Sequence, residues 1–118
     1  MFSRLRPMSK SQRTKGSAAE REAGKLVVQH LGGSCRRTPN SGGLAIKGDL
    51  HPNDNALEGW HIECKRQERL ALGSWMEQAR RDAGAKPWCL MHRRNHEKWK
   101  VTMELEDFLA VLAEKEGR

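Results

Sequence analysis

The stretch Trp60-His61-Ile62-Glu63-Cys64-Lys65 constrains the fold more tightly than any other part of this chain. Its polarity alternates with a period of two: Trp60, Ile62 and Cys64 fall on one side, His61, Glu63 and Lys65 on the other. Successive side chains of an extended strand point to opposite faces, so the pattern specifies a strand with one apolar face and one polar face. Upstream, Gly48-Asp49-Leu50 begins or forms a second, brief strand. Between them His51 to Gly59 holds Pro52, Asn53, Asp54 and Asn55, a composition that reads as a turn. Nine residues are enough for that turn to return the chain antiparallel.

The remaining elements follow from the same kind of reading. Ser17-Ala18-Ala19-Glu20 has the form of a capping box, in which a serine hydroxyl and a glutamate three residues on satisfy free N–H groups at a helix start. Ala19, Ala23, Leu26, Val27 and Leu31 then recur at helical spacing, and Gly32-Gly33 ends the helix. A short strand is expected over Ser34 to Thr38, then a loop through Pro39-Asn40-Ser41-Gly42-Gly43. Ser74 to Ala83 reads as a second helix, opened by Ser74 with Glu77. Strands are expected at Trp88 to Met91 and at Trp99 to Met103, and Leu105, Phe108, Leu109 and Leu112 mark a closing amphipathic helix. The order α-β-β-β-α-β-β-α predicts an α/β fold, a mixed central sheet flanked by helices. The expected organisation is a basic, flexible N-terminal arm, 1–16, and a single domain, 17–118. The four tryptophans sit among apolar residues and are expected in the core.

Charge narrows the partners. The 118 residues carry 22 Lys and Arg against 15 Asp and Glu, a net charge of +7. Residues 1–16 contain Arg4, Arg6, Lys10, Arg13 and Lys15 and no acid, whereas 104–118 is net acidic. A basic arm with no amphipathic apolar face points to nucleic acid rather than membrane; a solubilising tail is the plainer account. No apolar run approaches the roughly 20 residues of a membrane span. Cys35, Cys64 and Cys89 form no C-x-x-C pair and read as reduced thiols of a cytoplasmic protein.

The polar face of the 60–65 strand carries the chemistry. Hydrolysing a phosphodiester calls for a cation that neutralises phosphate charge and acidifies a water, and Mg²⁺ takes oxygen ligands, usually one or two of them protein carboxylates. Asp49 and Glu63 supply two if their strands are neighbours. The Cys64 backbone carbonyl lies between them as a further ligand, and Lys65 on the Glu63 face reaches the water or the phosphate. Set against this, E-x-K is a common surface pattern and Asp after Gly a routine turn residue.

Further elements in fixed order sharpen the reading. Lys15-Gly16-Ser17, Glu20-Arg21, Arg37, Pro39, Ser41-Gly42, Asp49-Leu50, Ile62-Glu63, Lys65 and Gln78-Ala79 together resemble the archaeal-type (Hjc-like) Holliday-junction resolvases of the PD-(D/E)XK nuclease superfamily, from about residue 15 to residue 100. That resemblance implies a restriction-endonuclease-like core and a homodimer that makes paired nicks in a four-way DNA junction with Mg²⁺ or Mn²⁺, leaving 5′-phosphate ends. It implies Asp49 and Glu63 as the two metal-binding carboxylates, Glu20 as the helical acidic residue of the site, Lys65 as the catalytic lysine and Ser41 as a loop residue at the scissile region; Glu20 is also a candidate third metal ligand and Gln78 a candidate orienting side chain. Arg13, Lys15, Arg37, Ser41, Lys47 and Arg66 would contact DNA backbone. Gly48 stands where the motif has proline, and the acidic C-terminal helix has no counterpart in the family pattern. A repair, nicking or restriction-like nuclease of the same fold, and a DNA-binding module that does not cut, remain alternatives.

Several residues have competing roles. Glu20 at the third helical position of a capping box already has a structural use, and Gln78 is equally an ordinary helix residue. His61 shares the face of Glu63 and Lys65, so it either lines the site or is a satisfied surface histidine. Arg66, Arg69, Arg80 and Arg81 either extend a basic surface or form a solvated helical face. His92-Arg93-Arg94-Asn95-His96 hints at an HNH-type cluster but lacks its second ligand group, and reads as a turn between strands. The chain's small size would suit a phage or mobile element.

Overall fold

The structure, a computed structural model, describes residues 10–38 and 48–118; in 10–15 only the backbone course is described. Its elements run α1 (Lys10–Leu31), β1 (Ser34–Arg37), β2 (Leu50–Asn53), β3 (His61–Arg66), α2 (Leu72–Ala83), β4 (Trp88–Arg93), β5 (Lys100–Met103) and α3 (Leu105–Lys115). This is the expected order. The five strands form one mixed sheet in sequence order, with β3 and β4 parallel and the other neighbours antiparallel. The parallel pair is joined through α2, as a parallel connection requires.

The period-two pattern sorts the core into two layers. Ile62 and Cys64 of β3 pack with Ala23, Leu50 and Cys89 on the α1 side. Trp88 and Leu90 of β4 pack with Trp75, Ala79 and Ala83 on the α2 side. Parallel register sets His61 beside Trp88, Glu63 beside Leu90 and Lys65 beside His92, so the polar face of β3 lies under α2. Among the described residues, Leu50, Ile62 and Leu90 are the largest fully buried side chains. Of the tryptophans, Trp75 and Trp88 are buried, and Trp60 and Trp99 are half-buried against the other layer.

Several local expectations are corrected. Helix α1 begins at Lys10, seven residues before Ser17, so Ser17 and Glu20 are interior and cap nothing. Ser17 Oγ instead accepts from Arg37 Nη2 at 2.8 Å and Glu20 Oε1 from Arg37 Nε at 3.1 Å, tying α1 to β1. Helix α2 starts at Leu72 without a side-chain cap, and Ser74 Oγ donates back to the Ala71 carbonyl at 3.0 Å. His51, Pro52 and Asn53 belong to strand β2 and not to the turn. β4 runs on to Arg93, which leaves His92 buried with its Nε2 2.9 Å from Thr102 Oγ1 and takes it out of any surface cluster with His96. The glycine stop does hold: Gly32 and Gly33 both have positive φ, and a Cβ on Gly33 would collide with the Asn53 carbonyl.

Helix α3 is amphipathic as expected, yet its apolar side is not in the core. Leu105, Phe108, Leu109, Val111 and Leu112 are all exposed.

Candidate active site

β2 and β3 pair at a single position, Leu50 opposite Ile62. Extending that antiparallel register by one residue sets Asp49 across from Glu63. The two strands part there, and the Asp49 side chain enters the gap: its Oδ2 accepts from the Cys64 N–H at 2.7 Å, while the Asp49 N–H donates to the Ile62 carbonyl at 2.7 Å. A carboxylate thus replaces a backbone carbonyl in the ladder and is fixed at the mouth of the split.

The sheet geometry brings three carboxylates together. The charge of Asp49 acts on Glu20 of α1 from one side and on the Glu63 side chain from the other. Burial, and then the charge of Asp49, raises the Glu63 carboxyl to about 7, with the Lys65 ammonium pulling the other way. Burial and Asp49 also raise Glu20, against the opposing pull of Arg37. Acids held this close with too little solvent to screen them are poised to exchange a proton for a cation.

An open cleft of about 630 Å³ lies over the split, lined by Gly16, Glu20, Asp49, Cys64, Lys65, Arg66 and Arg69 among others. Lys65 and Asp49 therefore face one space, with Arg66 at its edge donating to Asn95 Oδ1 at 3.3 Å. Glu63 does not line this cleft. It is only 5% exposed, and His61 Nε2 lies 2.6 Å from its Oε2. One ligand atom each from His61, Glu63 and Asp82 of α2 lie within 4.8 Å of one another. Gln78 is half-buried on α2, one turn before Asp82.

The candidates are thus partly assembled. Glu20, Asp49, Glu63, Lys65 and the Cys64 backbone converge, and Arg37 stands beside them, engaged by Glu20. Ser41 and Lys47 lie outside the described residues, as do the side chains of Arg13 and Lys15, which fall in the first turns of α1. Arg80 sits away from the cleft lining, 3.5 Å from Glu104. Sequence reasoning undervalued His61, whose signal was its shared face with Glu63, and missed Asp82, which carries no linear signal at all. The thiols are not nucleophiles here: burial drives Cys64 far up and Cys89 to about 12, so both stay protonated.

A split sheet with an aspartate at the fork, facing a Glu-x-Lys strand, defines the PD-(D/E)XK nuclease class. A family model described as "Phage putative PDDEXK endonuclease" matches residues 11–117, and the chain belongs to that family. No curated protein and no solved structure matches it. PD-(D/E)XK nucleases usually work with divalent metals, and the oxygen-rich donor set at Asp49 suits one.

Proposed function

We propose that this endonuclease is metal-dependent and structure-selective, nicking opposed strands of four-way DNA junctions as a homodimer. The observation that supports the chemistry is the convergence of Glu20 and Glu63 on Asp49, with Lys65 in the cleft that Glu20 and Asp49 also line. Asp49 and Glu63, with Glu20 and the Cys64 carbonyl, would hold Mg²⁺ or Mn²⁺. Such a cation supplies charge neutralisation at the phosphate and a more acidic bound water. Lys65 orients the attacking water and offsets charge building on the phosphate oxygens. Attack in line breaks the bond from phosphorus to the 3′ oxygen, giving a 3′-hydroxyl and a 5′-phosphate.

The resolvase reading rests on the ordered motif series and on the chain's positive charge. Arg66, Arg69 and Arg37 at or near the cleft, with Arg13, Lys15, Lys47 and the Ser41 loop, would grip backbone without reading bases. The uncovered apolar side of α3 supports association of two copies.

One gel series tests this: four-way junction, flap and linear duplex, each with Mg²⁺, Mn²⁺ or EDTA, beside Asp49→Asn and Lys65→Ala. Paired symmetric nicks confined to the junction are expected, with affinity falling steeply as salt rises. Cutting of linear duplex would instead select a repair, nicking or restriction-like role for the same site. Binding without cleavage under every metal condition would overturn the catalytic reading.

A further inference from the structure

Resting on the nuclease reading, we propose that His61, backed by Asp82, is a positioning residue whose ring fixes the Glu63 carboxylate for the divalent cation it shares with Asp49. The ring is in contact with both strands that carry the site. On β3, Nε2 lies 2.6 Å from Glu63 Oε2, and both side chains are buried. On the β2 side the ring lies against Gly48, immediately before Asp49. A Cβ built on Gly48 would meet His61 Cε1 and the Ile62 carbonyl at 3.3 Å. Gly48 has φ +88°, a left-handed conformation closed to proline and strained for any other side chain. The glycine that departs from the motif is therefore what lets an imidazole sit against the fork.

The hydrogen bond has a directional consequence. A carboxylate whose one oxygen accepts from His61 is held in a single rotamer, with its other oxygen left to face Asp49. Without the ring, Glu63 could turn toward any donor under α2, and two metal ligands on strands bridged at a single position would lose their mutual geometry. Asp82 sits on the α2 roof within 4.8 Å of the other two ligand atoms, so the helix joins the arrangement. Outer partners of this kind are worth roughly 10–100-fold in metal affinity or activity.

The test uses the full chain with Mn²⁺ as probe. Mn²⁺ affinity is measured by calorimetry or by the EPR signal of free ion, thermal stability in EDTA, and kcat and KM on a cleaved substrate at saturating Mn²⁺. His61→Phe keeps the ring volume and removes the donor; His61→Gln restores an N–H near the Nε2 position. Expected are a 10–100-fold loss of Mn²⁺ affinity and a lower kcat with little change in KM for His61→Phe, and recovery of most of both in His61→Gln. If His61→Phe melts as wild type and binds Mn²⁺ as tightly, the positioning role is wrong. If both variants lose affinity only in proportion to lost stability, His61 is packing and the proposal fails likewise. A wild type that binds no Mn²⁺ would instead bring down the nuclease reading beneath it.

Discussion

Glu63→Gln should stabilise the metal-free protein at pH 8 and leave it almost unchanged near pH 4. The Glu63 carboxyl moves from an ordinary 4.5 to about 7 in the fold, first through burial and then through the Asp49 charge. Its folded pKa is thus above its unfolded one, so the native state binds the extra proton. Its contribution is fully present below about pH 4.5 and is lost as pH rises toward 7. At about 1.4 kcal/mol per pKa unit the shift corresponds to something on the order of 3 kcal/mol. Glutamine cannot ionise, and its amide offers a donor to Asp49 much as the protonated acid does.

Urea titrations followed by tryptophan fluorescence, in EDTA and from pH 4 to pH 8.5, give the two stability curves. Their difference isolates Glu63, because groups shifted the other way contribute equally to both. Glu22 and Glu97, held below the usual carboxylate range chiefly by hydrogen bonds from Arg93 and Arg94, are among these. The difference should open between pH 4.5 and 7 and then level off. Mn²⁺ should reverse its sign at pH 8, since a ligand at a thousandfold excess over Kd adds about 4.1 kcal/mol to the wild type and little to the variant. A difference flat in pH, or one that Mn²⁺ does not move, would refute the account of Glu63 as a buried acid awaiting a cation.

Asp49→Asn should keep the fold, because an amide oxygen still accepts from the Cys64 N–H, while cleavage falls by roughly a hundredfold or more; single-turnover assays beside a melting curve separate the two effects. Arg37→Ala removes two part-buried hydrogen bonds, to Glu20 and Ser17, and should cost about 1–2 kcal/mol in urea unfolding. Phe108→Lys with Leu109→Lys should leave the melting temperature within a few degrees, since neither side chain is in the core, yet shift sedimentation of the proposed dimer to monomer.

Element identity was legible because the hydrophobic period is a property of neighbouring residues, and every helix and strand arrived in the expected order. Boundaries were less so, for physical reasons that can be named. Lys10 to Gly16 contains no apolar residue to set a helical period, so nothing in it announces the first turns of α1. A serine and a glutamate three apart present the same oxygens whether they cap a helix or receive a guanidinium; Arg37, 20 residues from Ser17, decided the matter. Pro52 looked like a turn former, but β2 has left β3 by that point and is paired only with β1, where a missing N–H is tolerated.

The same reasoning recasts the strand face that carries the site. Alternation correctly separated Glu63 and Lys65 from Ile62 and Cys64, but it cannot distinguish a face open to water from one roofed by a helix. In the fold, α2 covers that face unevenly: His61 and Glu63 are buried and Lys65 is half-buried, at the cleft. The polar face is therefore graded along its length. Its covered end desolvates a carboxyl and holds it against a histidine, and its open end offers an ammonium to an incoming polyanion. Asp49 touches both regimes because β2 separates from β3 opposite Glu63. Two strands zipped together further would have closed the gap that the Asp49 carboxylate occupies, so the single bridge at Leu50 and Ile62 is as much a part of the site as its acids.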